Sequence, residues 1–110
     1  MSYWGFNAKI KPFIGDDGFS RKTLINWDNK IQIVEFHDKK GKVFVSHKHP
    51  EVVIVYLASG KVKETIGSET KTLVQGDSWY VPSNVEHATQ VLEDSVLVCA
   101  FCPPRKDYES

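Results

Sequence analysis

The sequence predicts an all-β chain folded as a single barrel of two packed antiparallel sheets. Short runs rich in Val, Ile, Thr and aromatic residues recur at even spacing, separated by Gly, Asp, Asn, Ser and Pro, the composition of strands and turns. No window sustains the 3.6-residue period of an amphipathic helix. The 110 residues leave room for one domain and one core, and many short strands in such a length require a sandwich or a barrel.

The elements follow from the turns between them. Strands are predicted over Arg21–Asn26 and Lys30–His37, then over Lys42–His47 after the turn Lys39-Lys40-Gly41. Val52–Ser59 and Lys61–Ile66 flank Ser59-Gly60, and Gly67-Ser68 leads into Glu69–Val74. Gln75-Gly76-Asp77 precedes Ser78–Val81, and Pro82-Ser83-Asn84 precedes His87–Val91 and Ser95–Phe101. One domain is expected over 1–110, with the barrel at about 20–102. The looser segment before Gly18 and the polar tail after Pro103-Pro104 are expected outside it.

Charge and composition narrow the partners. Fourteen basic residues balance fourteen acidic ones, which disfavours nucleic acid and anionic membrane alike. The longest apolar run, Val52 to Ala58, is far short of the ~20 residues that span a bilayer. Met1-Ser2-Tyr3-Trp4-Gly5 lacks the pattern of a signal peptide, and two cysteines make no disulfide framework. A cytoplasmic protein with a small-molecule substrate is expected. Cys99 and Cys102 spell C-x-x-C, but on a strand residues three apart face opposite sides, so no shared bond or metal is expected. Val52–Leu57 and Val96–Phe101 are apolar on both faces. One face lines the interior and the other needs cover, which predicts a homodimer.

The chemistry lies in the histidines. His47 and His49, two apart, project from one face if they share a strand, a spacing that suits neighbouring positions on one metal ion. His37 is opposite in parity to Val34 and Phe36 and reads as a surface residue. The wider context is Gly41, five residues, His47-x-His49 and a closing Gly60, then Gly76, five residues, Pro82-x-Asn84, two residues and His87. These stretches resemble the two motifs of the cupin superfamily, whose fold is a jelly-roll or double-stranded β-helix. The resemblance implies a turn at Gly76, a left-handed residue at Asn84, and one divalent metal ion on His47, His49 and His87. Three imidazoles suit Zn, Fe, Ni, Cu or Mn. The family's Glu or Gln ligand corresponds to Val53, which cannot bind a metal; Glu51 lies close by as either a ligand or a rim carboxylate.

The C-terminal stretch Leu92 to Leu97 and Phe101-Cys102-Pro103-Pro104-Arg105-Lys106-Asp107-Tyr108, with Gly18-Phe19-Ser20-Arg21-Lys22 and His47-Lys48-His49-Pro50, is similar to the KdgF-like pectin-degradation cupins. These convert unsaturated uronates into linear keto sugars. The resemblance implies catalytic positions at Cys99, Phe101 and Arg105, where Cys99 replaces an acidic residue. Arg105 reads as a clamp for a substrate carboxylate or a solvated tail arginine. Phe101 reads as a cavity wall, and Cys99 as core filler, fourth ligand or proton carrier. The expected cavity is lined by Val53, Val55, Leu57, Trp79 or Tyr80, Cys99 and Phe101. The expected function is a metal-dependent isomerase or lyase on a small sugar acid or hydroxy-carbonyl compound. A three-histidine iron dioxygenase and a non-catalytic binding barrel are the alternatives.

Overall fold

The computed structural model describes residues 3–15 and 19–109. Met1 and Ser2, from the N-terminal pattern, and Gly18, from the closer resemblance, lie outside the described residues. Eight strands form among the described residues: β1 (Phe13–Ile14), β2 (Phe19–Trp27), β3 (Ile31–Asp38), β4 (Val43–His47), β5 (Val52–Ile66), β6 (Glu69–Val74), β7 (Ser78–Val81) and β8 (His87–Cys102). One-turn 3-10 helices occupy Asn7–Lys9 and Lys106–Tyr108.

Every strand pairing is antiparallel. The long strands β5 and β8 run through both layers. One layer has the order β1-β2-β3-β8-β5-β7, built on the second half of β8 and the first half of β5. The other has the order β4-β8-β5-β6 and uses their remaining halves.

The sequence predicts two strands where β5 lies and two where β8 lies. Each pair is one continuous strand, because β5 and β8 bend together and stay hydrogen-bonded through the bend. The register shifts between Leu57 and Ser59, Ser59 and Lys61, and Lys61 and Val62, the local disruption that lets a strand change direction. Gly60 makes the bend possible. Its φ is +98°, and a β-carbon there would lie 2.1 Å from Ser95 Oγ and 2.5 Å from the Asp94 carbonyl oxygen. Ser95 Oγ, buried at the crossing, accepts the Lys61 N–H and donates to the Glu93 carbonyl. The turn chemistry at Ser59-Gly60 therefore makes a corner rather than a hairpin. β1 has no counterpart among the predicted strands, since two residues are too few for a sequence period.

The core lies between the layers. Val34 and Phe36 of β3, Val53, Val55 and Leu57 of β5, and Leu97, Cys99 and Phe101 of β8 alternate inward and are buried. Their outward neighbours make an apolar surface. Val52, Ile54 and Tyr56 are exposed, and Tyr80, 65% exposed, pairs with Ile54 across β7. Val98 and Ala100 continue the same face through their pairing with Tyr56 and Ile54. The C-terminal tail crosses one end of the barrel. Buried Gln32 holds it there, donating to the Arg105 carbonyl and accepting the Arg105 N–H, each at 3.1 Å.

Candidate metal centre

His47, His49 and His87 come together at that end of the barrel. β4 pairs with β8 at Phe44↔Thr89 and His47↔His87, with a register shift between the two pairs. Phe44 and His47 are three apart and should face opposite ways. The shift restores the parity, so both line the interior cavity. His49 corrects the sequence argument: it lies in the loop beyond β4 and not on a strand. The second motif fixes that loop, because the Asn84 N–H donates to the His49 carbonyl at 2.8 Å. Asn84 has φ +60°, the left-handed conformation expected there. Pro82 to Asn84 and His47 to His49 are thus locked to each other.

Ring centroids lie 4.2 Å apart for His47–His87, 4.8 Å for His49–His87 and 5.6 Å for His47–His49. Ligand nitrogens of all three lie within 4.8 Å of one another, a group able to hold a metal ion. In each ring Nδ1 donates to a backbone carbonyl two residues away: His47 to Val45 at 2.8 Å, His49 to Glu51 at 2.9 Å and His87 to Val85 at 2.9 Å. A carbonyl only accepts, so Nδ1 carries the proton and the neutral ring presents the Nε2 lone pair. Bonds of this kind orient metal-binding imidazoles and fix their tautomer.

Electrostatics favour the same form. Burial holds His49 and His87 below the ordinary imidazole value. The positive charges of Arg105 and of neighbouring imidazoles push the same way, and the carbonyl acceptors oppose them. Both rings are neutral at neutral pH, as ligands must be.

The other sequence candidates divide. Glu51 Oε1 lies 3.7 Å from His49 Nδ1, on the side of the ring that points away from Nε2, so it supports His49 from behind. Val53, Val55, Trp79, Cys99 and Phe101 line the cavity with Arg105. Tyr80 faces outward, and Leu57 is buried beyond the cavity lining. Burial and the nearby Asp38 and Glu64 carboxyls push the Cys99 thiol far up, so it holds its proton as a neutral wall residue. Cys102 is exposed, and both cysteines are free. His37 is half exposed and bound to Glu35 at 2.7 Å, away from the centre. Arg105 holds Asp107 through two bonds, Nε at 3.1 Å and Nη2 at 2.8 Å, and lies over the rings of Tyr108 and Phe101.

Three cavity groups escaped the sequence reading. Tyr108 comes in from the tail and packs against Phe36 and Phe101. Asp38 and Glu64 are buried carboxyls on the cavity wall. Strand parity was the available signal, since Asp38 follows Val34 and Phe36 inward and Glu64 lies between inward Val62 and Ile66. The cavity encloses about 80 Å³, enough for several waters at the ~10–15 Å³ each requires.

A cupin-domain family model matches residues 34–102. The chain belongs to the cupin family. The cupin is 35% identical over 94 residues to the pectin degradation protein KdgF of Dickeya dadantii (strain 3937), a match covering 84% of each chain. Its fold is that of an RmlC-like cupin from Shewanella frigidimarina, with TM-score 0.91 and 23% identity over 98% of this chain and 96% of that one. KdgF from Halomonas sp. superposes with TM-score 0.90 and 24% identity over 97% and 98% of the two chains. One part of the Bacillus subtilis oxalate decarboxylase also matches, with TM-score 0.80 and 22% identity, over 94% of this chain and 30% of that one. No helix among the described residues is long and apolar enough to cross a membrane.

Proposed function

We propose that this cupin binds one divalent metal ion through His47, His49 and His87 and is a metal-dependent isomerase of the pectin-degradation type, opening a small unsaturated uronate to its linear keto form. The observation that carries the metal is the common arrangement of the three rings, each with Nδ1 tied to a carbonyl and with ligand nitrogens within 4.8 Å of one another. Likeness to a curated pectin-degradation protein over most of both chains supports the substrate class. Zn, Fe, Ni, Cu and Mn all suit the donor set.

A divalent ion there supplies a Lewis acid for a carbonyl or enol oxygen. The protein's own groups do the rest. Arg105 binds the uronate carboxylate in a forked pair, exchanging Asp107 for it. Phe101, Cys99 and Val53 form the wall that orients the sugar and keeps bulk water out. The apolar sheet face around Ile54, Tyr56 and Tyr80 meets its copy in a homodimer, and the free Cys99 and Cys102 suit a reducing cytoplasm. The test is NMR of unsaturated monouronate with metal-loaded protein. Loss of the ring form with the wild type, and not with His87→Ala, is expected. An untouched substrate with fully loaded wild type overturns the reaction.

A further inference from the structure

The reaction needs a group that moves a proton, and the sequence offered only poor ones. Val53 carries no proton. Cys99 is a neutral thiol whose ionisation its surroundings oppose, and Glu51 sits behind His49. We propose that Glu64 is the proton donor of this cupin, an inference that rests on the uronate reading above.

Glu64 is 3% exposed and lines the same cavity as the three histidines. It pairs with Thr89 across β5 and β8, and the next rung on that face, Ile66, pairs with His87. Glu64 and His87 are therefore diagonal neighbours on one inner face, with β-carbons somewhat closer than the ~7–8 Å typical of such a diagonal. Its carboxyl is not part of the group that could hold a metal ion, which is formed by the three histidines. The Thr89 hydroxyl donates to Oε1 at 2.5 Å, and Trp79 makes a further side-chain hydrogen bond. These contacts fix the carboxyl without neutralising it, since neither partner is charged. The titratable groups that share the cavity are Asp38, Cys99, Tyr108, Arg105 and the imidazoles. Burial, opposed by the two hydrogen bonds, raises the Glu64 carboxyl from 4.5 to about 7. A carboxylic acid that still holds its proton near neutral pH is suited to general acid catalysis.

The step conserves atoms and electrons. In the ring-opened enol of the uronate, the carbon–carbon π pair takes the Glu64 proton and a C–H bond forms. The enol O–H bond breaks, its electron pair becomes the C=O π bond, and its proton leaves to water. The Glu64 carboxylate regains a proton from water in the cavity. Nothing is oxidised or reduced.

Glu64→Gln keeps size and hydrogen-bond acceptor but has no transferable proton. The test measures metal content, uronate turnover and infrared difference spectra on metal-loaded wild type and variant. The expected result is unchanged metal, kcat lower by at least about 100-fold and KM little altered. The wild-type kcat falls as rising pH strips the proton from Glu64, while Glu64→Gln lacks this limb. Loss of metal from Glu64→Gln makes the residue a ligand and overturns the proposal, as does a rate within a few-fold of wild type. A loaded wild type that ignores the uronate refutes the uronate reading instead. Glu64 is then judged by the infrared band of a protonated carboxyl at pH just below neutrality. Its presence in wild type and absence in Glu64→Gln supports the stored proton; its absence from both overturns it.

Discussion

Replacing Glu64 by Gln should make the metal-free protein more stable, and only above mildly acidic pH. The folded carboxyl titrates at about 7 and an unperturbed one at 4.5. Below 4.5 both the folded and unfolded states are protonated, and wild type and variant should match. Between 4.5 and 7 the unfolded chain gives up the proton while the folded protein retains it, so wild-type stability falls as pH rises. Above 7 the deficit levels off. At about 1.4 kcal/mol for each unit between the two values, the full cost is about 3 kcal/mol, a large share of the roughly 5–15 kcal/mol that holds a domain of this kind together. Glu64→Gln is spared this loss. Urea unfolding followed by tryptophan fluorescence in chelator, at several pH values, measures it. His49 and His87, held low by burial, weaken both proteins alike below about 6.5, so the difference between the two curves isolates Glu64. Curves that stay parallel from pH 4.5 to 8 would refute a buried, protonated carboxyl.

Other expectations follow from the same contacts. Acidification should release the metal as His49 and His87, both held by burial below the ordinary imidazole value, take up protons in competition with it; elemental analysis after desalting at each pH follows it, and release on raising the pH instead would contradict it. His87→Ala should hold no stoichiometric metal while His37→Ala, whose ring is half exposed and bound to Glu35, keeps it. Asp107→Asn should free Arg105 for substrate and lower KM, by at most about fivefold because a pair this exposed is worth about 0–1 kcal/mol; a raised KM in steady-state assays would argue that Asp107 helps to bind substrate. Light scattering at tens of micromolar, about the range where weak association becomes visible, should give a dimer, and Ile54→Lys, at a position 57% exposed, a monomer.

Most of the fold is written locally in this chain, because alternation and turn residues act over a few positions. Gly76 and Asn84 were readable as turn positions for that reason, and both have positive φ. What escaped depends on long-range pairing. Whether Ser59-Gly60 makes a hairpin or a corner is decided by Ser95, far along the chain, which lies where a β-carbon of Gly60 would be. The three histidines could be grouped from motif spacing. The reason that His49 points inward could not, since it depends on loop bonds to Glu51 and Asn84 rather than on strand parity. Glu64 sits in the charged run Lys61-Val62-Lys63-Glu64, where its charge suggests a surface residue and only the parity of Val62 and Ile66 points inside. Tyr108 was hidden because the tail is placed by Gln32 and the Arg105 backbone, a contact without a local signature.

The proposed metal site offers the ion three imidazole nitrogens and no sulfur. X-ray absorption at the edge of the metal bound to the wild-type cupin tests it most directly. Three imidazoles at about 2.0–2.1 Å are expected if the ion is zinc, with open positions filled by oxygen and the imidazole signal reduced in His87→Ala. A sulfur neighbour at about 2.3 Å would put the Cys99 thiolate on the ion. That result, fewer than three imidazoles, or no bound metal at near-neutral pH would contradict it.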